Sequence, residues 1–165
     1  MDDMPVTINN FLQQIQQGLW GDSAFYLKAA HVIVARPMSW DTRRSKRESF
    51  GDLLHLPFNE YSDNVPHTKY TLGLNGRLSG PDFFINFVDN TIPHGPRGYQ
   101  KNGSADPCFA TVILGRDTVD LLAGLRNKGD DQLLLEHAVQ IVEVKIVNEL
   151  EEVPGGREYL AKKLA

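Results

Sequence analysis

Cysteine is nearly absent. Cys108 is the only one in 165 residues, which excludes an internal disulfide and removes cysteine pairing as a guide to compartment. It lies in an apolar run, where a buried, inert thiol is expected. Long hydrophobic runs are also missing: no segment approaches the roughly 18 consecutive apolar residues that a spanning helix needs. The opening Met1-Asp2-Asp3-Met4-Pro5 lacks the basic-then-apolar order of a signal peptide. The expectation is a soluble chain, with no compartment assigned and no membrane contact in this segment. Nor is positive charge in excess. With 17 Lys and Arg against 21 Asp and Glu, the net charge is −4, which argues against a general nucleic-acid binder.

Several chemical signatures are lacking as well. The five histidines (His31, His55, His67, His94 and His137) show neither metal spacing nor a cysteine companion, so no metal or other cofactor is expected. Residues Gly73 to Gly80 are glycine-rich but carry neither G-x-G-x-x-G nor the P-loop lysine, and turn chemistry explains them better. There is no G-x-S-x-G elbow, internal repeat or low-complexity tract. The basic cluster Arg36, Arg43, Arg44, Lys46 and Arg47 has no organising helix or interleaved aromatics and reads as a solvated loop face.

What is present suffices for one domain with a single core, at 41% hydrophobic residues. We place it at residues 1–150, followed by a polar tail, 151–165, that is either a docked helix or a disordered end. Ile8, Phe11, Leu12 and Ile15 mark one face of a helix over Thr7–Gln17, with Thr7 as N-cap and Gly18 as terminator. Short strands are expected at Ala24–Leu27, His31–Ala35, Tyr70–Leu74, Phe83–Val88 and Cys108–Leu114. Val32-Ile33-Val34 reads as buried on both faces. Residues 36–65 read as a long surface excursion pinned by Leu53, Leu54, Leu56 and Phe58, and Asn75-Gly76 as a turn. Asp89–Asp106 is expected to be a loop. Thr118–Leu125 reads as a helix with Val119, Leu122 and also Leu121 as candidates for its inward face. Val139–Val147 reads as a half-buried strand with a bulge near Val142.

Several separated blocks share one resemblance. Pro5, Thr7, Asn10 and Phe11 hold the spacing of the opening helix of cyclophilins, the β-barrel family of peptidyl-prolyl isomerases. Phe25 to Ala35 aligns with the family's phenylalanine-histidine-arginine strand and the apolar stretch that ends in glutamine. His67–Leu74 resembles the strand leading into the pocket, and Gly80–Ile85 resembles glycine-serine-glutamine-phenylalanine-phenylalanine-isoleucine, with Pro81 and Asp82 substituted. Phe109–Asp120 resembles the phenylalanine-glycine-x-valine block and its following helix. The resemblance spans residues 5–147. It implies a mainly β fold, a cyclophilin-like antiparallel barrel with two or three short helices. The family normally places two strands before the Pro-x-Thr helix, whereas four residues precede Pro5 here. An upstream segment, a strand-donating partner or an adapted fold would each account for that.

The resemblance also implies a chemistry. Rotating an X–Pro bond crosses a barrier of roughly 18–20 kcal/mol. A pocket that grips the proline ring and a fixed donor to the prolyl nitrogen both lower it. Phe84 matches the family's pocket floor, with Leu74, Val32 and Ile33 as walls, Asp82 beside the groove and His94 in the loop facing it. Phe83 is the core-facing neighbour. Leu27 occupies the arginine position, Ala35 the glutamine position, and Ile92 or Pro93 that of a pocket tryptophan. Lys28 is offset by one and points to the other face. The expected function is a peptidyl-prolyl isomerase-type domain that binds proline-containing segments, with isomerase activity weak or lost. The alternative is a non-catalytic interaction module on the same scaffold.

Overall fold

The computed structural model describes residues 3–51, 56, 58–75, 81–98, 104–129 and 133–164. Its elements are α1 (Pro5–Gln16), β1 (Ser23–Lys28), β2 (Val32–Arg36), β3 (Thr71–Leu74), β4 (Phe83–Asn86), α2 (Thr91–His94), β5 (Cys108–Thr111), α3 (Arg116–Ala123), β6 (Leu134–Ile141) and α4 (Gly156–Leu164). Among the described residues there are also single turns of 3₁₀ helix at Arg47–Ser49 and Leu150–Glu152. The strands form one antiparallel sheet ordered β5-β3-β4-β2-β1-β6, so the fold is mainly β. Among the described residues, β5 and β6 are the end strands, and no helix is long and apolar enough to cross a membrane.

Helix α1 starts two residues earlier than its apolar spacing suggests. Thr7 is not its cap but lies inside it, fully buried. The Glu60 carboxylate accepts from the backbone N–H groups of Val6 (3.0 Å) and Thr7 (2.6 Å), satisfying orphan donors from more than fifty residues away. Gly18, at φ +78°, ends the helix as expected, and the Leu19 N–H reaches back to the Gln14 carbonyl. The Lys46 ammonium donates to the carbonyls of Gly18, Leu19 and Gly21. That contact ties the 37–50 loop to the helix end, so Lys46 is an anchor rather than part of a solvated face.

The core lies between the inner face of the sheet and helices α1 and α3. Phe83 packs edge-on against Phe11, Trp20 and Phe25, with centroids 5.5, 4.6 and 5.8 Å away. Val119 and Leu135 join this cluster, and Leu56 and Phe50 pack against it. Phe58 does not: it is 56% exposed and no anchor. Leu121 is also exposed, because the α3 stripe facing inward is Val119 and Leu122. The final strand lies earlier than expected, at Leu134–Ile141. Its pairing to β1 runs from Leu27–Leu134 to Ser23–Ile141, which leaves Val142 exposed beyond the ladder. The irregularity falls between Leu134 and Val139 rather than near Val142. The tail is helical as α4. Leu53, Leu54, His55 and Gly76 of the expected Asn75-Gly76 turn lie outside the described residues.

Candidate functional site

Strand register decides what surrounds Phe84. Side chains alternate along a strand, and directly paired residues project from the same face. Phe84 pairs with Val34 on β2 and Gly73 on β3, and Val34 pairs with Leu27 on β1. One row therefore runs Leu27–Val34–Phe84–Gly73 across four strands. The adjacent row, Phe25–Ala35–Phe83–Leu74, points into the core.

A bulge makes this arrangement possible. Phe25 pairs with Ala35 but Leu27 pairs with Val34, so β1 carries one extra residue at Tyr26. Without it, Leu27 would share the core face of Phe25. With it, Leu27 sits half-buried beside Val34 on the Phe84 face.

Several candidate residues converge here and others do not. Phe84, Val32, Asp82 and Leu27 share the face, and His94 packs onto it. Ile33, Ala35 and Leu74 are corrections. Each is nearly or fully buried in the core on the Phe83 side, one pleat away from the pocket they were expected to line. Ile92 is a further correction. It is 84% exposed on α2, because the residue that helix turns inward is His94.

Phe84 itself is covered. Its ring is 3% exposed and forms a triangle with two imidazoles, His94 at 4.6 Å and His67 at 5.6 Å, which lie 5.3 Å from each other. The ring also occupies the space above Gly73. A Cβ there would meet Phe84 Cζ at 2.4 Å and His67 Cε1 at 2.8 Å.

A buried polar network holds the cover in place. His94 Nδ1 lies 2.6 Å from Asp106 Oδ2, and the Asp106 N–H donates to the His94 carbonyl at 2.9 Å. His67 Nε2 donates to the Asp106 carbonyl at 2.8 Å, and His67 Nδ1 accepts from Asn86 Nδ2 at 3.3 Å. Those two partners fit one neutral tautomer. Burial keeps the His67 imidazole below its ordinary pKa. Asn90 joins α2 to the sheet by donating to Asn86 Oδ1 (2.7 Å) and the His31 carbonyl (3.1 Å). His31 lies 5.5 Å from His94 and is likewise held low, by burial first and the neighbouring imidazole second.

At the other end of the same face, buried Asp82 receives Arg36 Nε at 3.1 Å on one oxygen and Arg47 Nη2 on the other. Beside them opens a cleft of about 340 Å³ lined by Arg36, Pro37, Met38, Ser45, Arg47, Asn75 and Asp82. Sequence reasoning missed both arginines as site residues and missed Val34 and Gly73 as neighbours of Phe84. The signal was available in strand alternation: Arg36 follows Val34 by two residues, as Asp82 precedes Phe84 by two.

A cation is thus present on this face, but at the Asp82 end and not at position 27. The row containing Phe84 offers a prolyl nitrogen no side-chain donor, since Leu27, Val34 and Gly73 have none. Among the described residues, no cluster of histidine, cysteine and carboxylate groups has metal-binding geometry.

Comparison with known proteins agrees with this architecture. The family model for cyclophilin type peptidyl-prolyl cis-trans isomerase/CLD matches residues 1–146. Two crystal structures of a Cryptosporidium parvum cyclophilin type peptidyl-prolyl cis-trans isomerase share the fold. One, in the presence of the dipeptide Ala-Pro, is 15% identical with a TM-score of 0.50, covering 82% of this chain and 85% of its own. The other is 14% identical with a TM-score of 0.51, covering 82% and 83%. No curated protein matches the chain significantly. With the family model spanning nearly the whole chain and the six-stranded sheet beneath it, the protein belongs to the cyclophilin-type peptidyl-prolyl cis-trans isomerase family.

Proposed function

We propose that this domain engages proline-containing segments on the Leu27–Val34–Phe84 face and that its isomerase activity is weak or lost. One observation carries the reading: Leu27 stands in the row of Phe84 where the family resemblance calls for a guanidinium. A preorganised donor aimed at a developing charge is worth roughly 2.7–4 kcal/mol, or about 10²–10³ in rate. Arg36 does not replace it. Two residues along a strand is about 6–7 Å, and its Nε is committed to Asp82.

The related Cryptosporidium parvum structure was determined in the presence of the dipeptide Ala-Pro, which supports reading this chain as a binder of prolyl segments. In this chain a prolyl ring reaching Phe84 has to displace His94 from the Phe84 ring and from Asp106. That contact lowers affinity, because His94 gives up Asp106 and its packing against His67 and His31 when it is displaced.

The covered Phe84 also favours a second reading, a non-catalytic interaction module in which the sheet is a scaffold. Titrating the isotope-labelled domain with an Ala-Pro peptide and its Ala-Ala counterpart separates the two. Prolyl recognition predicts amide shifts at Val34, Phe84 and His94 with the first peptide and weaker ones with the second. Equal responses, or none at these positions, would favour the module.

A further inference from the structure

We propose that Arg43 is a positioning residue: stacked on Trp40 and bonded to the Tyr26 hydroxyl, it pins the β1 bulge at Tyr26 and so keeps Leu27 in the row of Phe84. The proposal deepens the peptide-binding reading and rests on it only for what that face is used for.

Tyr26 lies inside the sheet yet outside its ladders. Strand β1 runs between β2 and β6, and the pairing on both sides skips from Phe25 to Leu27. Burial does little to choose which residue is skipped, because Tyr26 and Leu27 are both half-buried and both largely apolar. Moving the irregularity by one residue would pair Tyr26 with Val34 and leave Leu27 as the extra residue. A phenol would then stand in the row of Phe84. A choice between two such registers falls to a few local contacts.

Arg43 supplies them. Its Nη1 donates to the Tyr26 hydroxyl at 3.0 Å, and its guanidinium lies over the Trp40 ring, 4.2 Å from the centroid. The turn that carries Trp40 and Arg43 is fastened to the sheet. The Trp40 N–H donates to the Asp22 carbonyl at 2.9 Å, just ahead of β1, and Asp22 Oδ1 accepts from Gln140 of β6 at 3.0 Å. The Ser39 N–H bonds the Arg44 carbonyl at 2.9 Å and Met38 bridges to Ser45, closing the turn into a small hairpin.

The backbone shows that this side chain is kept against a local preference. Arg43 has φ +58°, in the left-handed region that favours glycine. Its N–H closes onto the Ser39 carbonyl at 2.9 Å, a turn that glycine would make without strain. An arginine there gives up that ease and gains the contacts to Trp40 and Tyr26, the pattern of strain held at a functional position. Asp22, at the other end of the fastening, has φ +56° as well.

The test reads the register directly, by NMR on the domain with labelled leucine and valine methyl groups. Arg43→Gly removes the clamp while suiting the left-handed turn, and Tyr26→Phe removes only the hydroxyl. In the unaltered chain, NOE contacts should join the methyl groups of Leu27 and Val34. In Arg43→Gly the ratio of Leu27 to Tyr26 opposite Val34 should fall about tenfold, seen as weakened Leu27–Val34 contacts and new ones from the Tyr26 ring to Val34. Tyr26→Phe should move the ratio the same way by a smaller factor. Contacts of Phe83 with Phe11 and Trp20 should persist in both variants, which separates a shifted register from general loosening. Unchanged Leu27–Val34 contacts in Arg43→Gly, or loss of the Phe83 contacts along with them, would overturn the proposal. Should Arg43→Gly fail to fold, Tyr26→Phe decides alone on the same two outcomes. Titration with the Ala-Pro peptide then tests the link to binding, since affinity should fall in proportion to the population of the Leu27 register. A shifted register with unchanged affinity would sink the peptide-binding reading and keep the clamp.

Discussion

Replacing Gly73 by alanine probes the packing that closes the site. The added methyl would sit 2.4 Å from Phe84 Cζ and 2.8 Å from both Phe84 Cε2 and His67 Cε1. Carbon atoms prefer separations of about 3.5–4.0 Å, so the Phe84 ring has to retreat by roughly 1 Å. It has little room, being 3% exposed, and His67 is 1% exposed and hydrogen-bonded at both ring nitrogens. Overpacking at such a site costs about 1–3 kcal/mol. Gly73 does not adopt a left-handed φ, so alanine adds no backbone strain. It recovers about 0.4–1 kcal/mol by restricting the unfolded chain. The short contacts and the closed surroundings put the overpacking cost in the upper part of its range, about 2–3 kcal/mol, so the net loss is about 1–2.6 kcal/mol. That lowers the melting temperature by about 2–10 °C for a domain of this size. Denaturant and thermal unfolding of Gly73→Ala measure it. The same change in a Phe84→Leu background tests the cause: leucine lacks the clashing Cζ, so the cost should fall by about 0.5 kcal/mol or more. A neutral Gly73→Ala, or an equal cost in both backgrounds, would refute the packing argument.

Other expectations follow from the same contacts. Burial holds the His67 imidazole below its ordinary 6.5, and His31 is lowered similarly. Below about pH 6.5 the unfolded chain therefore binds protons that these rings refuse, so this stability is full above 6.5 and is lost as pH falls. The denaturant midpoint should be lower at about pH 5.5 than at 7.5, and His67→Gln should flatten the slope; an unchanged midpoint would contradict it. Leu27→Arg should raise isomerase activity, by up to about 10²–10³ if the new guanidinium is preorganised, and a folded variant with no gain would show that pocket geometry has diverged too. Glu60→Ala removes the acceptor for two α1 N–H groups and should cost about 0.5–2 kcal/mol, read by urea denaturation.

The sequence made the elements legible because local pattern dictates them. The spacing of Ile8, Phe11 and Ile15 locates α1, and the neighbouring Phe83 and Phe84 do point to opposite faces of one strand. What it hid depends on pairing between distant segments. Which of Val32 to Arg36 share the face of Phe84 follows from the β2–β4 register and the extra residue at Tyr26. Neither is visible in a period-2 pattern, so the sequence alone puts Ile33, Ala35 and Leu74 one pleat out. The cap of α1 comes from Glu60, and the role of Lys46 comes from carbonyls more than twenty residues earlier. Ile92 is apolar yet exposed because the polar partners of His94 and Asn90 orient α2.

The central claim concerns the missing donor beside Phe84, and a protease-coupled prolyl isomerase assay on this chain tests it most directly. The account predicts relaxation close to the unassisted rate, on the order of tens of seconds, little changed by Phe84→Ala. Rapid turnover that disappears in a folded Phe84→Ala variant would contradict it.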